Sequence, residues 1–172
     1  MSMSDQDNRT ILLDEKQVVQ RINRLAYQIY EDNATEKEII VAGIMKSGYQ
    51  VAEKIAAALK SISPIKVELA ELQINKHSQF NEKISVSIGS EHFAGKSIVL
   101  VDDVLNSGKT MLYALKPFLA ADIKKIRTVV LVDRNHKRYP ISADFAGLSL
   151  STTMKEHVSV EFSGKNAQAW LS

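Results

Sequence analysis

Three uninterrupted apolar runs constrain this chain more than any other feature. They are "EIIVAGI" at 38–44, "SIVLVDD" at 97–103 and "IRTVVLVDR" at 126–134. None alternates apolar with polar residues, so each reads as a short strand buried on both faces. Between them the spacing changes to threes and fours, as in Val51, Ile55, Ala58 and Leu59, which is the period of a helix with one apolar side. Buried strands alternating with helices predict an α/β fold, a central mostly parallel sheet with helices on both faces. In such sheets ligands sit beyond the carboxyl ends of the strands. That rule points to the two acids closing the second run.

The remaining segments fill in around this frame. Residues 1–9 read as a disordered tail, and 10–172 as a single domain. Val18, Ile22, Leu25, Ala26 and Ile29 predict a helix, with Asp14 as its N-cap and Gln17 completing a capping box. Stretches 65–74 and 83–89 alternate apolar with polar residues and read as a strand and its hairpin partner. "KTMLYALKPFLA" reads as a helix kinked or shortened by Pro117. "ADFAGLSLS" and "HVSVEF" are short pieces suited to a sheet edge or a small cap.

Composition narrows the function classes. The 172 residues are one domain's worth. Lys and Arg exceed Asp and Glu by 22 to 20, a net charge of +2, which does not predict a nucleic-acid binder. The absence of cysteine excludes disulfides, thiolate metal sites and a cysteine nucleophile. The polar, acid-bearing start "MSMSDQDNRT" is unlike a signal peptide, and no apolar stretch approaches the ~20 residues that span a bilayer. A soluble, cytoplasmic protein without membrane partners is expected.

The stretch "SIVLVDDVLNSGKT" carries the chemistry. Ser107 and Thr110 are residue types that also cap helices anywhere. A nucleoside-triphosphate loop needs a glycine five residues before Gly108, and that position is Asp103. The acid pair favours another ligand. Two carboxylates at the end of a buried strand are costly to hold together unless something binds them. They accept hydrogen bonds only, which suits vicinal sugar hydroxyls or a hydrated magnesium ion. The backbone N–H groups of Asn106, Ser107, Gly108, Lys109 and Thr110 follow at once and suit a phosphate. Acids followed by a phosphate cradle outline a ribose 5-phosphate.

This stretch resembles the phosphoribosyl-diphosphate motif of type I phosphoribosyltransferases. Further segments extend the similarity. "ILLDEKQVVQRINRLAYQIYE" resembles the family's first helix, and "IIVAGIMKSGYQVAEKIAAAL" its first strand, pyrophosphate loop and helix. "VVLVDRNHKRYPISADFAGLSLSTTMKEHVSV" resembles the C-terminal part of the pyrimidine operon attenuator/uracil phosphoribosyltransferase branch. The resemblance implies the type I fold with a small hood. It also implies transfer of a phosphoribosyl group from phosphoribosyl diphosphate to a nucleobase with magnesium, most directly to uracil, in a homodimer or larger homo-oligomer. Carried over by position, Asp102 and Asp103 hold the ribose hydroxyls as catalytic residues, and residues 106–110 the 5-phosphate. Met45, Lys46 and Ser47 hold pyrophosphate, Asp133 joins Asp102 at magnesium, and Arg134 and His136 lie beside the base. The family's purine branch places an acid where Asn106 stands, which makes a 6-oxopurine acceptor the weaker expectation. The mobile loop of the family carries a Tyr-Arg pair and acids. Here "LQINKHSQFNEK" has neither, with Lys76 and His77 as substitutes by charge.

Bland alternatives accompany these assignments. His136, flanked by Arg134, Lys137 and Arg138, also fits a solvated basic turn. His77, His92 and His157 share no zinc-ligand spacing. Trp170 reads as a packing or dimer-contact residue. The attenuator branch also binds RNA through a basic face. Arg21, Arg24, Lys124, Lys125 and Arg127 are the candidates for one here, without an accompanying set of stacking aromatics.

Overall fold

The computed structural model describes residues 8–74 and 84–172. The expected apolar runs are strands of one six-stranded sheet. These are β2 (Glu38–Ile44), β5 (Ser97–Leu105) and β6 (Lys125–Asp133), joined by β3 (Lys66–Gln73), β4 (Ser85–Val86) and β7 (Phe145–Ser149). The spatial order is β4-β3-β2-β5-β6-β7, parallel except for the edge strand β4. Strand β5 lies inside the sheet, paired to β2 and β6, which is why its residues are buried from Ser97 through Asp102.

Alternate residues of each strand face opposite layers. Ile39 and Val41 of β2, with Val99 and Val101 of β5, pack against α1 (Glu15–Asp32) and α2 (Ser47–Ile62). Ile40, Ala42, Ile98 and Leu100 pack on the other face against α3 (Lys109–Ala114) and α4 (Lys116–Leu119). Both faces are therefore covered, and each buried Ile, Leu or Val contributes about 1.5–3 kcal/mol. Helix α1 begins as expected. The Asp14 carboxylate accepts the Gln17 N–H at 2.8 Å, and the Gln17 amide oxygen accepts the Asp14 N–H at 2.9 Å.

The structure refines three expected segments. The helix around Pro117 is two short helices: Leu115 and Phe118 donate their N–H groups to the carbonyls of Leu112 and Leu115, and the proline sits in the first turn of α4, where its missing N–H costs nothing. The hairpin partner read at 83–89 is, among the described residues, the two-residue strand at Ser85–Val86, after which the Ser87 N–H bonds the Glu71 carbonyl at 2.9 Å. Arg9, placed with the disordered tail, lies 4.6 Å over the Trp170 ring and pairs with Glu161 at 2.5 Å. Residues 1–7 of that tail lie outside the described residues, as do Lys76 and His77.

Arg9 leads into β1 (Thr10–Leu13), which the sequence pattern did not reveal. This strand pairs antiparallel with β9 (Asn166–Leu171), and β9 pairs with β8 (Val158–Ser163), forming a separate three-stranded sheet. This is the small hood expected for the fold, and Trp170 is one of its strand residues.

The end of α1 is tied to the start of β6. The Asp32 carboxylate accepts hydrogen bonds from Arg127 at 3.0 and 3.3 Å and an ion pair from Lys125 at 3.0 Å. Burial pushes the Asp32 carboxyl upward, but its bonds to Arg127 and Lys125 outweigh that and hold it below the usual carboxylate range. A depressed folded-state value means that the contribution is complete above the ordinary carboxylate range and disappears on acidification through the lowered value. Asp32→Asn should therefore destabilise the protein by roughly 1 kcal/mol at neutral pH. In urea titrations the difference from wild type should shrink as the pH falls through the lowered Asp32 value.

Candidate functional site

Strand β5 leaves the sheet at the acid pair. Asp102 is buried at 4% exposure and Asp103 is half-buried. Each carboxylate uses Oδ1 to accept the next residue's backbone N–H, Asp103 N–H onto Asp102 and Val104 N–H onto Asp103, both at 2.9 Å. These short loops fix the two side chains relative to the backbone.

Close approach of α2 sets their position. A Cβ on Gly48 would stand 2.8 Å from Asp102 Oδ1, 2.9 Å from its Cα and 3.0 Å from the Val101 carbonyl oxygen. Only glycine lets the first turn of α2 lie directly on the acid. The preceding residues, Met45 and Lys46, share a cis peptide bond, and Ser47 opens the helix at the cleft edge.

The turn after β5 is held from outside. Gly108 has φ +88°, and a Cβ there would meet Ile141 Cγ2 at 2.7 Å, two independent demands for glycine. The Ser107 carbonyl accepts the N–H groups of Arg138 and Tyr139 at 2.8 and 3.0 Å, and the Ser107 hydroxyl accepts the Lys109 N–H at 3.3 Å. The basic turn "RNHKRYP" thus braces the phosphate-type loop from behind.

Acids and turn share one cleft of about 310 Å³, polar in its lining. Residues 102–111 form its floor, Ser47 one edge, and His157, Val158, Ser159 and Val160 of the hood its far wall. The structure therefore brings together Asp102, Asp103, Asn106, Ser107, Gly108, Lys109, Thr110 and Ser47 of the expected site. The hood residues were missed: His157 was weighed only as a metal ligand, and no local pattern brings β8 over β5.

Other expected residues stand outside the cleft lining. Met45 and Lys46 lie just before Ser47. Asp133 is buried at the end of β6, its Oδ1 accepting the Asn135 N–H at 2.9 Å. His136 is half-buried in the bracing turn. Arg134 is 8% exposed and donates to Asn106 Oδ1 at 2.9 Å, Thr152 Oγ1 at 3.0 Å, and the carbonyls of Thr153 and Glu156 at 3.3 and 2.5 Å. In the same loop Glu156 accepts the Thr153 N–H at 2.6 Å, and this bond holds its carboxyl below the usual range.

The basic residues considered for an RNA face are engaged within the fold. Arg21 and Arg24 donate to the Gly147 carbonyl, Lys124 pairs with Glu36, and Lys125 and Arg127 pair with Asp32. No helix among the described residues is long and apolar enough to cross a membrane.

A family model for the phosphoribosyl transferase domain matches residues 8–162. The chain belongs to the phosphoribosyltransferase family. Among its relatives, the "Bifunctional protein PyrR" of Clostridium novyi is 35% identical over 163 residues, covering 88% of this chain and 89% of the relative. The protein of the same name from Haemophilus ducreyi is 34% identical over 157 residues, covering 87% and 88%. Of the solved structures, the hypoxanthine phosphoribosyltransferase of Trypanosoma cruzi superposes with a TM-score of 0.73 at 16% identity, covering 93% of this chain and 95% of that one. At that identity the likeness concerns the fold, which is the type I phosphoribosyltransferase fold.

Gly48→Ala tests the contact that sets the acid pair in this family member. Overpacking against backbone atoms should cost about 1–3 kcal/mol. A thermal scan should show the melting temperature falling by roughly 2–10 °C.

Proposed function

We propose that this chain transfers the 5-phosphoribosyl group from phosphoribosyl diphosphate to a nucleobase, with uracil as the acceptor, releasing pyrophosphate. The observation that carries the reading is the single cleft in which the Asp102–Asp103 pair meets the turn at 106–110. In this reading the acids accept hydrogen bonds from the ribose hydroxyls and stabilise the positive charge that develops at the anomeric carbon. Backbone N–H groups of the turn, the hydroxyls of Ser107 and Thr110, and the Lys109 ammonium hold the 5-phosphate. Met45, Lys46 and Ser47, at the positive end of α2, receive the pyrophosphate. Arg134 and His136 lie on the base side, and Asp133 supports the metal side from the end of β6.

Magnesium fits the donor set. Among the described residues no three His, Asp or Glu side chains gather into an all-protein cage. Two adjacent carboxylates beside a diphosphate suit an ion that keeps waters and takes substrate oxygens. Bound there by Asp102, with Asp133 behind, it would neutralise charge on the leaving group. Uracil as acceptor draws on the resemblance to the attenuator branch and on Asn106, whose amide cannot supply a carboxyl proton to a purine ring nitrogen. A cytoplasmic homodimer or larger homo-oligomer belongs to the same reading by resemblance.

The relatives' name, "bifunctional", favours adding a regulatory RNA-binding role to this reading. Lys124, Lys125 and Arg127 are each paired with an acid within the fold, so an RNA phosphate would compete with Glu36 and Asp32 for them. RNA affinity that falls steeply with added salt would support the role, and none at low salt would remove it.

The transfer itself is tested by mixing the protein with phosphoribosyl diphosphate, magnesium and single bases, and measuring pyrophosphate release. Release is expected with uracil, and Asp102→Asn or Asp103→Asn should lower it by about 100-fold or more. Binding of the diphosphate with no turnover on uracil, purines or orotate would sink the proposal.

A further inference from the structure

Arg134 is buried at 8% exposure, yet the four groups its guanidinium bonds are all neutral. No carboxylate lies within ion-pair distance of it among the described residues, although its charge adds to the lowering of the nearby Glu156 carboxyl. A permanently charged group held away from water is costly unless its donors are satisfied and its field is used. Two of its bonds explain the arrangement. Nη1 holds the Asn106 side chain on the cleft floor at 2.9 Å, and Nη2 holds the Glu156 carbonyl at 2.5 Å, one residue before His157 in the cleft wall.

The Asn106 bond has a chemical direction. An amide offers an acceptor oxygen at one end and an NH2 with two donors at the other, whereas a guanidinium has donors alone. Arg134 can therefore bond Asn106 only through Oδ1, and the NH2 end is left for whatever approaches the exposed side of this residue. We propose that Arg134 is a positioning residue for base selection: it orients Asn106 so that the amide donates to a carbonyl oxygen of the bound base. This rests on the phosphoribosyl-transfer reading and extends it to the chemistry of the acceptor. The phosphate already has the backbone and hydroxyl donors of residues 107–110. The Asn106 side chain is instead held sideways by Arg134 at the end of β6, which also bonds the 152–156 loop. A carboxylate at 106 could also accept from Arg134, but it would turn an oxygen toward the base and repel a carbonyl.

Calorimetric binding of uridine 5′-monophosphate and of ribose 5-phosphate to the full chain tests this, using Asn106→Ala, Arg134→Lys, the double variant and Asn106→Asp. Asn106→Ala and Arg134→Lys should each weaken the nucleotide by about tenfold, and the double variant by no more than the worse single, because both remove one interaction. Ribose 5-phosphate affinity should change less than about twofold in Asn106→Ala. Asn106→Asp keeps an acceptor for Arg134, and with it the fold, and should weaken the nucleotide more than Asn106→Ala does.

Losses that multiply in the double variant would show Arg134 to be merely structural and would overturn the inference. So would equal losses for ribose 5-phosphate, or wild-type affinity in Asn106→Asp. A wild-type protein that binds ribose 5-phosphate but no uridine nucleotide would instead remove uracil from the proposed function, and base selection by Asn106 with it. The two failures are therefore distinguishable.

Discussion

The backbone of α2 lies against Asp102 with no side chain between them, and the rest of the site is organised around that contact. Strand β5 can carry an acid at its end because it is held on both sides, by β2 and β6, and cannot move to relieve the charge. The positive end of α2 faces the carboxylate that the strand delivers. Ser47 thereby reaches the cleft, and the loop at 45–46 is brought to its margin. One glycine thus couples the loop after β2 to the acids after β5, although 54 residues separate Gly48 from Asp102 in the sequence.

The same economy governs the phosphate-type turn. Its geometry depends on Gly108, but what keeps it in place is the next crossover, where Arg138 and Tyr139 bond the Ser107 carbonyl and Ile141 closes over Gly108. The basic turn "RNHKRYP" therefore has a structural job before any ligand arrives. A ligand-binding loop that must present several N–H groups at once cannot also satisfy its carbonyls internally. Bracing from a neighbouring loop resolves that conflict without filling the cleft.

The parts of this fold that were legible in the sequence are those where one period or one local motif decides the outcome. β2, β5 and β6 are buried on both faces, so their composition announces them, and the Asp14–Gln17 box marks the start of α1 to the residue. The hood was illegible for the opposite reason. β1 is four residues long and β9 mixes Asn and Gln with apolar residues, and their pairing joins the two ends of the chain. No local pattern encodes a partner that distant. Within the site, the acids and the turn were readable because they are contiguous, whereas His157 reaches the cleft only through the pairing of β8 with β9.

Arg134 was singled out by its charge and position, and the structure adds what its side chain holds. Charge and position suggested a group beside the base, and four of the five guanidinium N–H groups are taken by internal acceptors. In the proposed reading its influence passes through what it holds. A flexible Lys could not hold Asn106, Thr152 and two carbonyls at once, since the planar fork of the guanidinium fixes the directions of all these bonds together. The cleft floor and the loop leading to its far wall are thereby tied to one side chain at the end of β6.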